Sequence, residues 1–340
     1  MPFFGVNARR QPANSSSVNF QSETSTTMPA ASEPDFSRLR VTGKDRAKFL
    51  HNFCTNNIKT LTAGTACEVF FTDVKARILA HGYVLAFDSF HEIWMLPGDA
   101  AALAKHLSKY VITEDVTVTD FSTDNHVVVF RETPELLALP PFHGAAENTR
   151  DTLCGQLNES ADTNSYVTFL RVTWASERLI AIAGSAEQIS TFRRNISISS
   201  DAEVDSDELE SLRIRERFPV IGQDMSNENL APEAERNSVA VSYTKGCYLG
   251  QEPIARLDAI GHVNRALRVI ELSGDCSRQE IIGRSLLTAD NAVVGTVTSA
   301  VQGNAQSIVG LAMVKVNSAT QPVFCELASG VKLSGRCQPL

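Results

Sequence analysis

The side chains best suited to chemistry cluster in one segment, TKGCYLGQEPIAR, at residues 244–256. A cysteine reacts as its thiolate, and a neighbouring cation lowers the pKa of the thiol. Lys245 stands two positions before Cys247, and Gly246 between them permits close backbone approaches. The spacing permits a reactive Cys247 with Lys245 as its activating cation. On spacing alone an inert cysteine is the better interpretation, because residues close in sequence need not face each other.

Downstream of the thiol, Glu252 and Arg256 are four residues apart, which places both on one face of a helix. Pro253 suits the first turn of such a helix, and Glu252 near its N-terminus would complement the helix dipole. On spacing alone, an ion pair across one helical turn explains Glu252 and Arg256 better than a binding site does.

The composition indicates a soluble globular protein of two or three domains. The chain has 340 residues, of which 43% are hydrophobic and 21% are charged. Its net charge of −8 argues against a protein whose main task is stable binding to a nucleic-acid backbone. No apolar run approaches the roughly 18 residues that a membrane-spanning helix needs. We therefore expect neither membrane insertion nor stable nucleic-acid binding, and we expect a monomer.

The cysteines indicate free thiols in a reducing compartment. Their number is odd, they are scattered, and no two of them form a C-x-x-C pair, which argues against a disulfide framework or a zinc site. The seven are Cys54, Cys67, Cys154, Cys247, Cys276, Cys325 and Cys337. We expect no metal site.

The N-terminal segment has the composition of a disordered leader, since residues 11–34 are rich in Ser, Thr, Asn, Pro and Ala. The first expectation for the compartment is the cytoplasm. Arg9 and Arg10, followed by hydroxyl residues, leave a targeting segment for the mitochondrial matrix as the alternative. Glu23 and Glu33 oppose that alternative, because such segments are poor in acidic residues.

Short turns between strands outnumber strand–helix–strand crossovers, which favours an α+β fold with largely antiparallel sheets. Gly98 and Asp99 are expected to open a helix in which Leu103 and Leu107 lie on one face. After Arg265, short β-rich runs indicate a separate all-β unit at the end of the chain. No glycine-rich nucleotide-binding pattern occurs, so a nucleotide cofactor has no support.

The segment KGCYLGQEPIAR resembles the signature K-G-C-[FY]-x-G-Q-E-x-x-x-R of the YgfZ-type folate-binding proteins. These proteins are relatives of the aminomethyltransferase of the glycine cleavage system and of a mitochondrial iron–sulfur assembly factor. The matching positions are Lys245, Gly246, Cys247, Tyr248, Gly250, Gln251, Glu252 and Arg256. Similar patterns elsewhere, such as LRVTGKDRAKFLHNFCTNNIKTLTAG, extend the resemblance over about residues 36–335.

The resemblance implies three domains around a central channel, after a leader at residues 1–34. Two interleaved folate-binding α+β domains of the aminomethyltransferase type would occupy residues 35–262, and a C-terminal β-barrel would occupy residues 263–340. The channel would hold tetrahydrofolate, with Cys247 near its mouth.

By the same resemblance, Cys247 and Lys245 are expected to carry the chemistry. Glu252 and Arg256 would also brace the loop that carries the thiol. The residues expected to bind the folate are Tyr248, Gln251, Glu252, Arg256, Arg213 and Asp73.

The function implied is that of a folate-dependent accessory protein for the maturation or repair of iron–sulfur client proteins and, through them, for tRNA thiomethylation. The alternative is an enzyme, a tetrahydrofolate-dependent aminomethyltransferase of the glycine-cleavage type. Aminomethyltransferases lack a cysteine at the position of Cys247, and their Y-T-G-E-x-G-Y-E stretch has no counterpart in TWASERLIAIAG. Two further departures replace glycines that are usual in relatives, namely Ala76 and Arg217.

Overall fold

Antiparallel β-structure dominates the part of the chain that the computed structural model describes. That part comprises residues 36–139, 152–158, 166–196, 199–261, 263–274, 276–303 and 306–338. The leader expected at residues 1–34 lies outside these residues. Within the described ranges, no helix is long and apolar enough to cross a membrane.

The first sheet carries two helices on one face. Its strands are β1 (Ser37–Thr42), β2 (Ala66–Thr72), β3 (Ile78–Ala86), β4 (Phe90–Met95) and β5 (Thr117–Asp120). They pair antiparallel in the order β2-β3-β4-β1-β5. Helices α1 (Arg46–Phe53) and α2 (Ala100–Ser108) bury their apolar sides against this sheet. Helix α2 begins where the sequence indicated, because the Asp99 carboxylate accepts a hydrogen bond from the Ala102 amide at 2.7 Å.

The second sheet has the same antiparallel character and its own helical cover. Its strands are β6 (His126–Arg131), β7 (Leu153–Asn158), β8 (Tyr166–Trp174), β9 (Glu177–Gly184) and β10 (Glu203–Val204), in the order β10-β6-β9-β8-β7. Helices α3 (Pro134–Leu137) and α4 (Ala186–Asn195) pack on one face. The other face meets the first sheet.

The two sheets share one apolar core, to which α5 (Ser206–Glu216) contributes Leu209 and Leu212. After α5 the chain returns to the first sheet through a 3₁₀ helix (Ala231–Ala234), α6 (Asn237–Ala240) and α7 (Gln251–Ile260). The segment from the 3₁₀ helix to α7 therefore follows the second sheet in sequence but packs against the first sheet. The interleaved α+β architecture expected from the resemblance is confirmed.

The chain ends in a closed six-stranded barrel, as expected from the β-rich tail. Its strands are β11 (Arg265–Ser273), β12 (Ser285–Leu287), β13 (Val293–Gln302), β14 (Ser307–Lys315), β15 (Pro322–Glu326) and β16 (Lys332–Cys337), with α8 (Arg278–Ile281) beside β13. Closure pairs β11 with both β14 and β16, so the barrel has no free sheet edge. Leu267 and Leu311 pack against Ile214 of α5 and join the barrel to the rest of the fold.

Both positions at which the resemblance leads us to expect a glycine have left-handed backbone conformation. Ala76 has φ 62° and Arg217 has φ 57°. Arg217 ends α5, and its amide donates to the carbonyls of Arg213 and Ile214. Glycine is preferred at such a helix end because it has no Cβ to clash there.

We predict that Arg217→Gly unfolds at higher denaturant concentration than Arg217→Ala. Both substitutions remove the side chain that contacts Glu235, so the difference isolates the backbone. A left-handed non-glycine residue costs about 1 kcal/mol, and the glycine variant should be more stable by about that amount. Equal free energies of unfolding in the two variants would contradict a left-handed strain at this residue.

Candidate functional site

The signature loop, residues 244–250, is anchored by the buried ammonium of Lys245. The Lys245 Nζ donates hydrogen bonds of 2.6, 2.7 and 2.7 Å to the backbone carbonyls of His51, Cys54 and Asn56. It also lies 4.7 Å from the centre of the Tyr248 ring. Lys245 and Tyr248, the buried residues before and after Cys247, thus contact each other, and Lys245 is bonded to the end of α1.

This arrangement corrects the role expected for Lys245. An ammonium has three N–H donors, and the three carbonyls use all of them, so none is left for a Cys247 thiolate. Burial lowers the pKa of Lys245, and the thiols that oppose this shift are Cys54 and Cys67. Lys245 therefore holds the loop in place and does not activate the thiol that it precedes in sequence.

Cys247 is the one exposed cysteine among the seven, all of which lie in the described ranges. Cys67 is partly buried and the remaining thiols are buried. Burial raises the pKa of Cys54 to about 11 and that of Cys154 to about 12, so both stay protonated at neutral pH. A reactant in solution therefore reaches the Cys247 thiol first.

Gly250 makes the close contact between the signature loop and the β2–β3 turn, residues 73–77. Its φ is 83°, and a Cβ there would lie 2.5 Å from the Asp73 carbonyl oxygen and 2.6 Å from the Thr72 hydroxyl. That hydroxyl donates to the Leu249 carbonyl at 2.9 Å. Only glycine meets both the backbone angle and the space, so the loop and the turn form one unit.

Asp73 shapes this turn. Its Oδ1 accepts the amide hydrogens of Lys75 and Arg77 at 2.8 and 2.9 Å. These bonds hold the left-handed Ala76, which is fully buried. Oδ1 of the carboxylate expected to bind folate is thus engaged by local backbone donors.

The expected ion pair between Glu252 and Arg256 does not form, which corrects the bracing role given to both. Each side chain is exposed on α7, and among the described residues neither has a hydrogen-bond or ion-pair partner. The loop is braced instead by Gln251, whose Oε1 accepts the Tyr248 amide at 3.4 Å, and by the packing of Tyr248 itself.

Arg213 also has a role other than the expected contact with folate. Its side chain is 2% exposed, and its five N–H groups all have acceptors. These acceptors are the two Glu210 oxygens, the Phe218 carbonyl, Asp224 and Ser299. Ser299 belongs to β13, so Arg213 ties α5 to the barrel and has no donor left for a ligand.

A cavity of about 680 Å³ lies between the two sheets, within the size range of small-molecule sites. Its polar lining includes Glu68, Tyr83, Glu216, Arg178 and Arg236. None of the six residues expected to bind folate is part of this lining. The tertiary structure thus separates the cavity residues from those of the signature.

A buried ion pair forms the floor of the cavity. Arg236 Nη2 donates to Glu68 at 2.6 Å and to Glu216 at 3.1 Å, while Arg236 Nε contacts the second Glu68 oxygen. Burial raises the pKa of Glu68, but the charge and hydrogen bonds of Arg236 outweigh it and bring the pKa to about 2. His81 Nε2 lies 2.8 Å from the same carboxylate, and burial lowers the pKa of His81. Glu68 is therefore ionised at neutral pH.

The residues Glu68 and Arg236 were missed from the sequence, although one of them leaves a signal. Glu68 interrupts the apolar strand CEVFF, and a charge inside a buried strand requires a buried partner. That partner is 168 residues away, so no local spacing identifies Arg236.

We predict that Gly250→Ala lowers the free energy of unfolding more than Gly261→Ala does. The two glycines flank α7 with φ values of 83° and 82°, so both substitutions incur the same backbone strain. A Cβ at Gly261 meets nothing within 4 Å, whereas at Gly250 it meets the Asp73 carbonyl. Overpacking of this kind costs about 1–3 kcal/mol, measurable by urea denaturation. Equal losses would show that the loop–turn contact is loose.

No protein-family model matches the chain. It is 25% identical over 295 residues to a putative chloroplastic transferase of Arabidopsis thaliana, a match that covers 84% of this chain and 65% of the relative. It is 24% identical over 268 residues to the mitochondrial iron–sulfur cluster assembly factor IBA57 homolog of Mycosarcoma maydis, covering 74% and 58%. The chain therefore spans less than two thirds of the length of these two relatives.

The tRNA-modifying protein YgfZ of Yersinia pseudotuberculosis is 27% identical over 282 residues, covering 79% of both chains. The crystal structure of the glycine cleavage system aminomethyltransferase T from Bartonella henselae superposes with a TM-score of 0.73, covering 90% of this chain and 84% of that one. Its 18% sequence identity makes this a likeness of fold alone. Sequence relatives and architecture agree: this chain is similar to YgfZ-type proteins and has the fold of aminomethyltransferase T.

Proposed function

We propose that this protein is a folate-binding accessory factor that supports the maturation or repair of iron–sulfur client proteins and, through them, tRNA thiomethylation. The observation that carries the proposal is the exposed Cys247 on a loop whose neighbours Lys245, Tyr248 and Gly250 are buried. An exposed thiol on a loop held by buried neighbours is suited to repeated contact with partner proteins. The relatives named for iron–sulfur assembly and for tRNA modification support the same role.

The cavity between the sheets is the proposed site for a reduced folate, which has a pteridine rich in N–H donors and an anionic glutamate tail. The Glu216 carboxylate accepts one hydrogen bond at each oxygen, from Ala175 and Arg236, and retains lone pairs for pteridine donors. Arg178, with 37% of its side chain exposed and its Nη1 3.2 Å from Glu132, brings a positive charge to the cavity lining for the tail. The Tyr83 ring supplies an aromatic wall. The donor set of the cavity therefore fits the ligand.

We place the protein in the cytoplasm, with the mitochondrial matrix as the alternative, and we expect it to act as a monomer. Both compartments are reducing, which suits a chain whose cysteines are all free. The clients are expected to meet the Cys247 face transiently.

The second candidate function is tetrahydrofolate-dependent aminomethyl transfer, which the shared fold with aminomethyltransferase T favours. The absent Y-T-G-E-x-G-Y-E stretch and the presence of Cys247 oppose it. Formation of methylene-tetrahydrofolate from methylamine donors by the purified protein would rank this activity first.

We predict that tetrahydrofolate binds wild type and Cys247→Ser with the same Kd, because Cys247 does not line the cavity. Glu216→Gln should raise the Kd about tenfold or more, since a hydrogen bond to a charged group is worth about 1.5–3 kcal/mol. Isothermal titration calorimetry measures both. Glu252→Gln is the matched control, because it removes an exposed carboxylate outside the cavity. An unchanged Kd for Glu216→Gln would move the folate site elsewhere.

We predict that Cys247→Ser fails to restore iron–sulfur enzyme activity and tRNA thiomethylation in a strain that lacks its own YgfZ-type protein. Activity should fall at least tenfold, because a serine hydroxyl is a far weaker nucleophile than a cysteine side chain. Cys337→Ser, which changes a buried barrel thiol, should restore both activities. Full restoration by Cys247→Ala would refute a role for the thiol.

A further inference from the structure

One asparagine touches both the cavity wall and the anchor of the signature loop. Asn56 Nδ2 donates to the backbone carbonyls of Glu68 and Val239, at 2.9 Å each, and both of these residues line the cavity. The backbone carbonyl of Asn56 accepts a hydrogen bond from Lys245 Nζ at 2.7 Å. The Asn57 amide donates to Asn56 Oδ1, which leaves the amide nitrogen facing the two carbonyls.

The adjoining residue gives this connection stiffness. The Thr55 amide donates to the Phe70 carbonyl on β2, and the Thr55 carbonyl accepts from the Ser242 amide, just before the signature loop. The Thr55 hydroxyl donates to the Ala240 carbonyl at 2.6 Å. Thr55 is fully buried and bonded on both sides. A displacement of Asn56, its neighbour on the cavity side, is therefore transmitted to the signature loop.

The cavity wall at Val239 is the end of this connection that a ligand can contact. Val239 belongs to α6, a helix of four residues without a side-chain cap, and its side chain is 49% exposed. Short uncapped helices are held mainly by their tertiary contacts. A ligand that packs against Val239 therefore favours one position of α6 over others, which is what a shift in equilibrium requires.

We propose that Asn56 and Lys245 are positioning residues that couple occupancy of the cavity to the reactivity of Cys247. The identity of the ligand rests on the proposed function. The new element is that occupancy of the cavity controls the reactivity of the Cys247 thiol. A ligand that fixes α6 fixes the Asn56 amide, and the Asn56 carbonyl transmits this to the ammonium on which the loop depends. Coupling between two such sites typically changes a property 5-fold to 150-fold.

The first test needs no ligand. Mass spectrometry measures the rate at which iodoacetamide alkylates Cys247. Val239→Trp, which fills the cavity wall from an exposed position, and Asn56→Ala should each change this rate about fivefold or more. Asn52→Ala is the matched control, because Asn52 is exposed and meets the loop through its backbone carbonyl only. Rates within twofold of wild type in the folded Val239→Trp and Asn56→Ala variants would overturn the coupling.

A double-mutant cycle separates transmission from general loosening. Lys245→Met keeps the aliphatic stem and removes the donors, so in this background Val239→Trp should leave the alkylation rate unchanged. A full effect of Val239→Trp in the Lys245→Met protein would show that Lys245 does not transmit it. If Lys245→Met does not fold, the two single variants decide the outcome.

The last arm adds saturating tetrahydrofolate, with binding measured in the same samples. The ligand should change the Cys247 alkylation rate about fivefold or more in wild type and not in Asn56→Ala. Bound folate with an unchanged rate overturns the coupling. An effect of Val239→Trp without folate binding leaves the coupling standing and refutes the folate site.

Discussion

The ammonium of Lys245 is buried, and a buried charge is tolerated in a fold only when its donors have partners. Its partners are three carbonyls in the last turn of α1 and just beyond it, where carbonyl groups have no N–H donors within the helix. One contact thus satisfies both the cation and the helix terminus. The signature loop, with Cys247 at its surface, and the packing of Gly250 on the β2–β3 turn all depend on that contact.

Other buried charges organise the remainder of the molecule in the same way. Glu68 and Arg236 join the first sheet to the returning segment and close the cavity, and Arg213 joins α5 to the barrel. Loss of one partner of a buried pair costs about 3–5 kcal/mol, because the other charge stays buried alone. Within these pairs, the arginine donors bond to acceptors of the protein itself. In the cavity lining, Glu216 accepts only one hydrogen bond at each oxygen and so retains acceptor capacity.

Much of the fold is predictable from local patterns. Antiparallel pairing follows from short turns between strands, α2 follows from its Asp99 cap, and the barrel follows from the β-rich tail after Arg265. The candidate site is less predictable. Spacing paired Lys245 with the Cys247 thiol, whereas its ammonium bonds three backbone carbonyls. The resemblance assigned Arg213 to a ligand, whereas its N–H groups all have acceptors within the protein. A functional Cys247 stays a prediction. Adjacency in sequence does not determine which way a long, flexible side chain turns.

The sequence by itself determined the antiparallel α+β architecture, the closing barrel and the signature with its cysteine, because these depend on periodicity, turn residues and a contiguous motif. Only the tertiary structure decided that Lys245 binds the end of α1, that Glu68 meets Arg236 and that Cys247 alone among the cysteines is exposed. The physical reason is that buried donors take the nearest unsatisfied acceptors in space. In this fold those acceptors come from segments more than a hundred residues away.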